Sequence, residues 1–315
     1  MGDNEMTTSV GWIGAGRMGY ALIERLLDAG YDVSVYNRTR SKAEPLAERG
    51  AKLVDTPAQL ADRDVVFIMV AASDDLEAVA VGEDGLLTAD VSPQVIVDCS
   101  TVSAAVSEKI RGLAAARGTT LLAAPVSGNP KVVRSGKLTL AISGPREAFD
   151  RTEHLLRPLG RGVTYVGEGE VARLVKICHN VFLGVVAQSL AEITVLAEQG
   201  GTSRQAFLEF LNNSVMGSVF TRYKSPALVN LDFSPTFTNI LLRKDFDLGL
   251  QAAREHGVPM PVAALAAEMV SSAVGAGHTS EDFATLLLEQ ARRSGVELVS
   301  EQAHVDDGLG TDANE

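Results

Sequence analysis

The stretch from Glu170 to Gln199, EVARLVKICHNVFLGVVAQSLAEITVLAEQ, contains no proline and is closed by the pair Gly200-Gly201. It constrains the fold more than any other part of the chain. At ~1.5 Å per residue such a run predicts a single helix of roughly 45 Å. Val171, Leu174, Val175, Ile177, Val181, Phe182, Val185, Val186, Leu190, Ile193 and Leu196 leave almost no polar stripe. Burial on most sides is therefore expected, as for a shaft between two halves of a protein. Lys176 and Asn180 lie four apart near its start and share a face, with His179 beside them. The longest run free of strongly polar residues, Val181 to Ala187, falls far short of the ~20 residues that a bilayer requires, so a membrane is not an expected partner.

With 315 residues, 46% of them hydrophobic and 22% charged, the chain has the composition of an ordinary globular protein and the length for two domains. A formal net charge of −12 disfavours nucleic acid and anionic membranes, whereas a small anionic ligand needs only a local basic pocket. Cys99 and Cys178 stand in apolar surroundings without metal-ligand spacing and are read as buried free thiols in a reducing compartment. The first residues, MGDNEMTTS, lack an apolar signal region, which makes the cytoplasm the expected location. The end, AHVDDGLGTDANE, is polar and acidic and reads as a disordered tail.

From Ser9 a short apolar run, Val10 to Ile13, enters Gly14-Ala-Gly16-Arg17-Met18-Gly19, followed by an amphipathic helix to about Ala29 and a second strand, Asp32 to Tyr36. In this setting the glycines have separate tasks. Gly14 allows a tight turn, Gly16 lets a pyrophosphate approach the backbone, Gly19 packs helix on strand, and the helix N-terminus attracts phosphates. The second strand ends in Asn37-Arg38-Thr39-Arg40 with no carboxylate to take the ribose hydroxyls or repel a 2′-phosphate. Arg38 offers a planar cationic fork, so NADP(H) is favoured and NAD(H) stays open.

Buried parallel strands are then expected at Asp64–Val70, Val95–Asp98, Leu121–Ala124, Leu138–Ser143 and Val163–Val166, with helices at Thr56–Ala61, Asp75–Val81, Ser103–Arg117 and from Arg146. Val70-Ala71 and Thr101 fall at the strand ends where an open α/β sheet binds its ligand. Pro125 to Lys131 reads as a turn-rich loop. After Gly201 only helices follow, at Arg204–Asn212, Thr236–His256, Pro261–Ala276 and Glu281–Gly295. The expected architecture is a Rossmann-type doubly wound parallel sheet followed by an all-helical domain, joined by the long interdomain helix. Its divisions are a flexible start (1–8), a dinucleotide-binding domain (9–168), the helix (169–200), a helical domain (201–302) and the tail (303–315).

Four motifs, in order, make the chain resemble the 3-hydroxyacid (β-hydroxyacid) dehydrogenase family: Gly14-Ala-Gly16-Arg-Met-Gly19; Asp98-Cys-Ser-Thr101 with Ala124-Pro-Val-Ser-Gly128; Lys176-Ile-Cys-His-Asn180; and Lys244-Asp245. The likeness runs from about Val10 to Gly295. It implies that Lys176 is the catalytic lysine and Asn180 its companion in the substrate site. It further implies that Ser127 and Gly128 hold the substrate carboxylate, and that Thr101 and Lys244 lie near the nicotinamide end of the cofactor. Reduction of a carbonyl by hydride needs a proton for the developing alkoxide, which the Lys176 ammonium can donate, and burial between domains would lower its pKa toward the working pH. No metal is required.

Two departures bear on the substrate. The family's small residues after Gly128 are replaced by Asn129-Pro130-Lys131-Val132-Val133, so Asn129 is a candidate for contact with a different acid group. The spacing from Gly169 to Lys176 is about a turn longer than usual, with Arg173 where a stricter count would set the lysine. Lys176 is retained because Asn180 follows it in register. His179 either touches substrate or satisfies a backbone carbonyl.

The expectation is an NADP(H)-dependent oxidoreductase interconverting a small, carboxylate-bearing 3-hydroxy acid and its semialdehyde or oxo form, assembled as a homodimer or homotetramer because so much apolar helix needs cover. The alternatives are an imine reductase, against which Lys176 speaks, and a non-catalytic NADP-binding protein.

Overall fold

The computed structural model describes residues 8–310, so nearly all of the expected flexible start and the last five residues of the expected tail lie outside the described residues. Contacts divide the chain into two compact units meeting in sequence at Lys176 and Ile177.

In the first unit the elements are β1 (Val10–Ile13), α1 (Arg17–Asp28), β2 (Val33–Tyr36), α2 (Glu44–Ala47), β3 (Lys52–Leu53), β4 (Val65–Ile68), α3 (Ser73–Val81), β5 (Val95–Asp98), α4 (Ala104–Ala115), β6 (Thr120–Ala123), β7 (Val126–Ser127), α5 (Pro130–Arg134), β8 (Thr139–Ser143), α6 (Arg146–Leu156), β9 (Gly162–Gly167) and the start of α7 (Val171–Gln199). The strands form one sheet in the order β3-β2-β1-β4-β5-β6-β8-β7, with β9 beside β8. Strands β1 to β6 are parallel, and β8 runs antiparallel to β6 and β7. The sheet is therefore mostly parallel rather than wholly so.

Alternation along each strand sorts the side chains into two cores. Trp12, Val65, Phe67, Val95 and Val97 pack with Leu22 and Leu26 of α1 and Phe149 and Leu155 of α6. On the opposite face Ile13, Val66, Ile68 and Ile96 pack with Leu76 and Ala80 of α3 and Ile110 and Ala114 of α4. Helices on both faces explain why these strands are apolar without a break, as the sequence reading requires. Stacked rings of Trp12 and Phe67, 5.1 Å apart, join neighbouring strands β1 and β4.

The second unit is helical: the rest of α7, then α8 (Arg204–Asn213), α9 (Val219–Asn230), α10 (Asn239–Glu255), α11 (Pro261–Gly275) and α12 (Leu286–Arg293). Helices α7 and α10 approach closely because both carry glycine at the contact. A Cβ on Gly184 would lie 2.3 Å from the Phe246 ring, and one on Gly249 would lie 2.3 Å from Val181 Cγ2. Arg204, wholly buried, donates to Glu198 and to the carbonyls of Leu228, Val229 and Val299.

Several expectations are corrected. Helix α9, with Pro226 inside it, is not among the expected helices. The loop from Pro125 to Lys131 instead holds β7 and the start of α5. The helix expected at Glu281–Gly295 divides into a 3-10 turn, Phe283–Thr285, and α12. Residues from Ala303 do not behave as a free tail: Ala303 and Val305 pack on the helical core, and Asn230 bonds the Ala303 backbone in both directions at 2.8 and 2.9 Å.

Helix α7 also departs from the expected burial on most sides, since Phe182 is 67% and Leu196 71% exposed. Its most apolar window has a mean hydropathy of 1.6 and is half buried inside the protein, although length and composition alone would allow α7 to cross a membrane. Cys99 is buried as expected, whereas Cys178 is exposed because it faces the same open side of α7.

Candidate functional site

In the first unit the turn between β1 and α1 distinguishes its three glycines physically. Gly14 has φ +98°, and a Cβ there would meet the Met69 carbonyl at 2.1 Å. A Cβ on Gly19 would lie 2.0 Å from the Gly14 carbonyl. These two are required by the protein's own backbone. Gly16 differs, since a Cβ there would meet no atom within 4 Å. Its open side belongs to the lining of a cavity. Gly16 also caps α1 without a side-chain bond, and the first turn of that helix carries no acid, so its N-terminal amides and dipole face an anion unopposed.

A cavity of about 410 Å³ opens beside this turn, lined by Gly14, Gly16, Asn37, Arg38, Thr39, Lys42, Val70, Ala71 and Asp75 among others. It brings together most of the cofactor-binding residues expected from sequence. Asn37 acts as a brace: its Oδ1 accepts from the Ala15 amide at 2.8 Å and its Nδ2 donates to the Thr39 carbonyl at 2.7 Å, tying the end of β2 to the glycine turn. Arg17 is exposed at the first position of α1, and Met18 leans on the core. Thr101 is exposed. The fit to a dinucleotide is thus carried by open space at Gly16, a free helix terminus and cations at the far wall.

Strand ends are held by a buried polar chain. Ser100 Oγ accepts from the Val70 amide at 2.9 Å, and the Ser100 amide donates to Asp98 Oδ1 at 3.0 Å. Asp98 Oδ2 in turn accepts from Arg173 Nη2 at 2.6 Å. Arg173, 4% exposed, also donates to Ser107, to the Ser100 carbonyl and to Glu170. Burial pushes the Glu170 carboxyl up, but the Ser107 hydroxyl and the Arg111 and Arg173 guanidiniums outweigh it and hold it below the usual range. Arg173 is therefore a rivet between α7 and the sheet, and the position that a strict family count would give to the lysine is occupied by structure.

Ser127 ends β7, and Gly128 adopts φ +144° with Val132 Cγ1 2.8 Å from where its Cβ would stand. Asn129 Oδ1 caps α5 by accepting from the Lys131 and Val132 amides at 2.9 and 3.1 Å. That oxygen is committed to the loop rather than offered to a ligand.

In the second unit Asn180 is 5% exposed and Asp245 3% exposed, and Asn180 Nδ2 donates to Asp245 Oδ2 at 2.6 Å. A carboxylate only accepts, so it fixes which end of the amide faces it. Asn180 Oδ1 then accepts from His179 Nδ1–H at 2.9 Å. Lys176, one turn earlier on α7, is half-buried, and Lys244 is exposed on α10. His179 Nδ1 thus helps to fix the Asn180 amide. Asp245 was legible only as part of a motif, without a role. Arg173 with Asp98 was missed, although Glu170 and Arg173 at i, i+3 hinted at a pairing.

These features define a dinucleotide-binding protein with a Rossmann-type sheet and a separate helical unit. Residues 9–167 match the family model described as the NAD binding domain of 6-phosphogluconate dehydrogenase, and residues 167–289 match that described as NAD-binding of NADP-dependent 3-hydroxyisobutyrate dehydrogenase. The chain is 30% identical over 289 residues to 3-hydroxyisobutyrate dehydrogenase of Pseudomonas aeruginosa, covering 89% of this chain and 97% of that one. The crystal structure of a 3-hydroxyisobutyrate dehydrogenase from Salmonella typhimurium aligns with a TM-score of 0.79 at 25% identity, covering 89% of this chain and 99% of the other. An imine reductase from Myxococcus stipitatus, solved with NADP+, aligns at 0.53 and 26% identity over 88% of this chain and 98% of its own. The chain belongs to the 3-hydroxyacid dehydrogenase family of NAD(P)-dependent oxidoreductases.

Proposed function

We propose that the protein interconverts a small 3-hydroxy acid and its semialdehyde or oxo form, with preference for NADP(H). The observation that carries this reading is the register of Lys176 and Asn180 on α7, with Asn180 locked by Asp245 and His179. A nicotinamide nucleotide, when bound, supplies or accepts the hydride. In the reductive direction Lys176 Nζ gives a proton to the developing alkoxide, and in the oxidative direction the neutral amine takes it back. Asn180, unable to turn, holds the substrate oxygen at the same face of α7. Ser127 and the Gly128 loop bind the carboxylate, Thr101 and Lys244 serve the nicotinamide end, and Arg38 serves the 2′-phosphate.

The test is consumption of NADPH and NADH by purified protein against semialdehydes, 2-oxo acids and cyclic imines, with Lys176→Ala alongside. Turnover of a carboxylated aldehyde that collapses in the variant supports the proposal. Imine turnover would favour the reductase reading that the Myxococcus stipitatus likeness suggests. Cofactor binding without any turnover would favour a non-catalytic role.

Phe182, Ile193 and Leu196 on the open side of α7 support assembly with a second copy of the chain, since monomers rarely leave such a stripe uncovered. Leu196→Glu should lower the mass read by light scattering if that stripe is the interface, and an unchanged mass would remove it from consideration.

A further inference from the structure

The sequence places no carboxylate at the end of β2, yet the folded cavity contains one beside Arg38. It comes from the first turn of α3, where Asp75 Oδ1 accepts from Arg38 Nη1 at 2.8 Å. Both residues line the dinucleotide cavity, as do Thr39 and Lys42. The Arg38 side chain is 84% exposed and Asp75 only 27%, so the acid is fixed in the wall and the guanidinium bends over to it. Arg40, the other candidate cation of this segment, is paired with Asp55 at 2.5 Å.

We propose that Asp75 is a specificity-determining residue that restrains the preference for NADP(H) by competing with the 2′-phosphate for Arg38. The inference rests on the reading of Arg38 as the phosphate-binding cation and deepens it. A 2′-phosphate carries about −1.5 to −2 charge at pH 7 and suits the planar guanidinium fork. Only Nη1 of the fork is bonded to Asp75, and turning the fork bidentate to the phosphate draws Arg38 away from that carboxylate and leaves it near the phosphate as a like charge. Phosphate binding is therefore an exchange of partners with a repulsion added. NAD(H), with a hydroxyl at this place, requires neither change. Since an exposed pair is worth at most about 1 kcal/mol, the restraint is a matter of a few-fold rather than of exclusion.

The experiment measures NADPH and NADH dissociation constants by calorimetry on the full-length protein and its Asp75→Asn, Arg38→Gln and double variants. Asp75→Asn should tighten NADPH about two- to fivefold and leave NADH within about twofold, the gain shrinking at high salt. The gain should vanish in the Arg38→Gln background, because the competition has then lost its object. A folding defect would weaken both nucleotides together, in which case Asp75→Ala is measured in place of the amide variant. If Arg38→Gln weakens NADPH while Asp75→Asn, or Asp75→Ala in its place, leaves both nucleotides unchanged or tightens both equally, the role of Asp75 is overturned and the reading of Arg38 stands. If Arg38→Gln leaves NADPH binding unchanged, the reading of Arg38 falls and the role of Asp75 with it.

Discussion

Asn180 Nδ2 donates to Asp245 Oδ2 at 2.6 Å, joining α7 to α10 through two buried side chains. The bond is charge-assisted and has no water to replace it, which places its contribution at about 1.5–3 kcal/mol. Its consequence is orientation. With the amide nitrogen held by a pure acceptor, the amide oxygen is left to accept from His179.

Asp245→Asn is expected to release that orientation, because an amide can face Asn180 either way round. The expected outcome is a loss of about ten- to hundredfold in kcat/KM against the substrate found in the assay above, from a bond of this strength. Thermal melting should fall only modestly, since the replacement fills the same volume. Unchanged kinetics would show that the orientation of Asn180 has no part in turnover.

Arg173 and Lys176 are three residues apart on α7 but belong to different physics. Arg173→Ala leaves Asp98, buried at 0% exposure, without its guanidinium, and removal of one partner from such a pair costs about 3–5 kcal/mol. Its melting temperature should drop sharply. Lys176→Ala, from a half-buried position, should melt near the parent while losing turnover. The reverse pattern in calorimetry and kinetics would mean that the strict family count, with the catalytic cation at position 173, was right.

The strand-turn-helix at Gly14 was legible because strand alternation, glycine spacing and helix periodicity all fall within one local stretch. Other features are written across distance. Asp75 is 37 residues from Arg38, and Arg173 is 75 from Asp98, so neither pair has a local pattern. Helix α9 has Pro226 inside it and only a weak apolar periodicity of its own, and the buried Leu228 and Val229 hold it on the helical core. Exposure of Cys178 and Phe182 was illegible for a different reason. An apolar stripe does not record whether its own chain covers it.

Gly16 and Gly19 offer a separation of ligand binding from folding. Gly16→Ala places a methyl group where nothing of the protein stands, so the melting temperature should hold while NADPH affinity falls at least about tenfold through obstruction of the pyrophosphate. Gly19→Ala drives a methyl against the Gly14 carbonyl and should destabilise the protein before any ligand is added. Equal nucleotide affinity in Gly16→Ala, measured by calorimetry, would move the phosphate site away from this turn.

Acid stability depends on a pair in the helical unit. Lys224 Nζ donates to Asp282 Oδ1 at 2.6 Å, and Asp282 Oδ2 accepts from the Thr236 hydroxyl at 2.6 Å and its amide at 2.9 Å. Burial pushes the Asp282 carboxyl up, but the Lys224 charge and hydrogen bond, with those of Thr236 and the Ala284 amide, outweigh it and hold it below its ordinary value. A carboxylate whose value is lower folded than unfolded adds stability that is complete above about pH 4 and lost as the pH falls through the folded value. Urea midpoints should therefore fall on acidification below about pH 4, and Asp282→Asn should flatten that fall. The variant should also lose about 3–5 kcal/mol at pH 7, since it leaves the buried Lys224 ammonium with the Thr236 hydroxyl and the Phe283 and Tyr223 rings, 4.4 and 5.5 Å away, but with no counter-charge. Adding Lys224→Met should recover part of that loss, because the stranded charge is then removed as well. A single Asp282→Asn protein as stable as the parent at pH 7 would show that the pair contributes nothing to holding α9 against the 3-10 turn before α12.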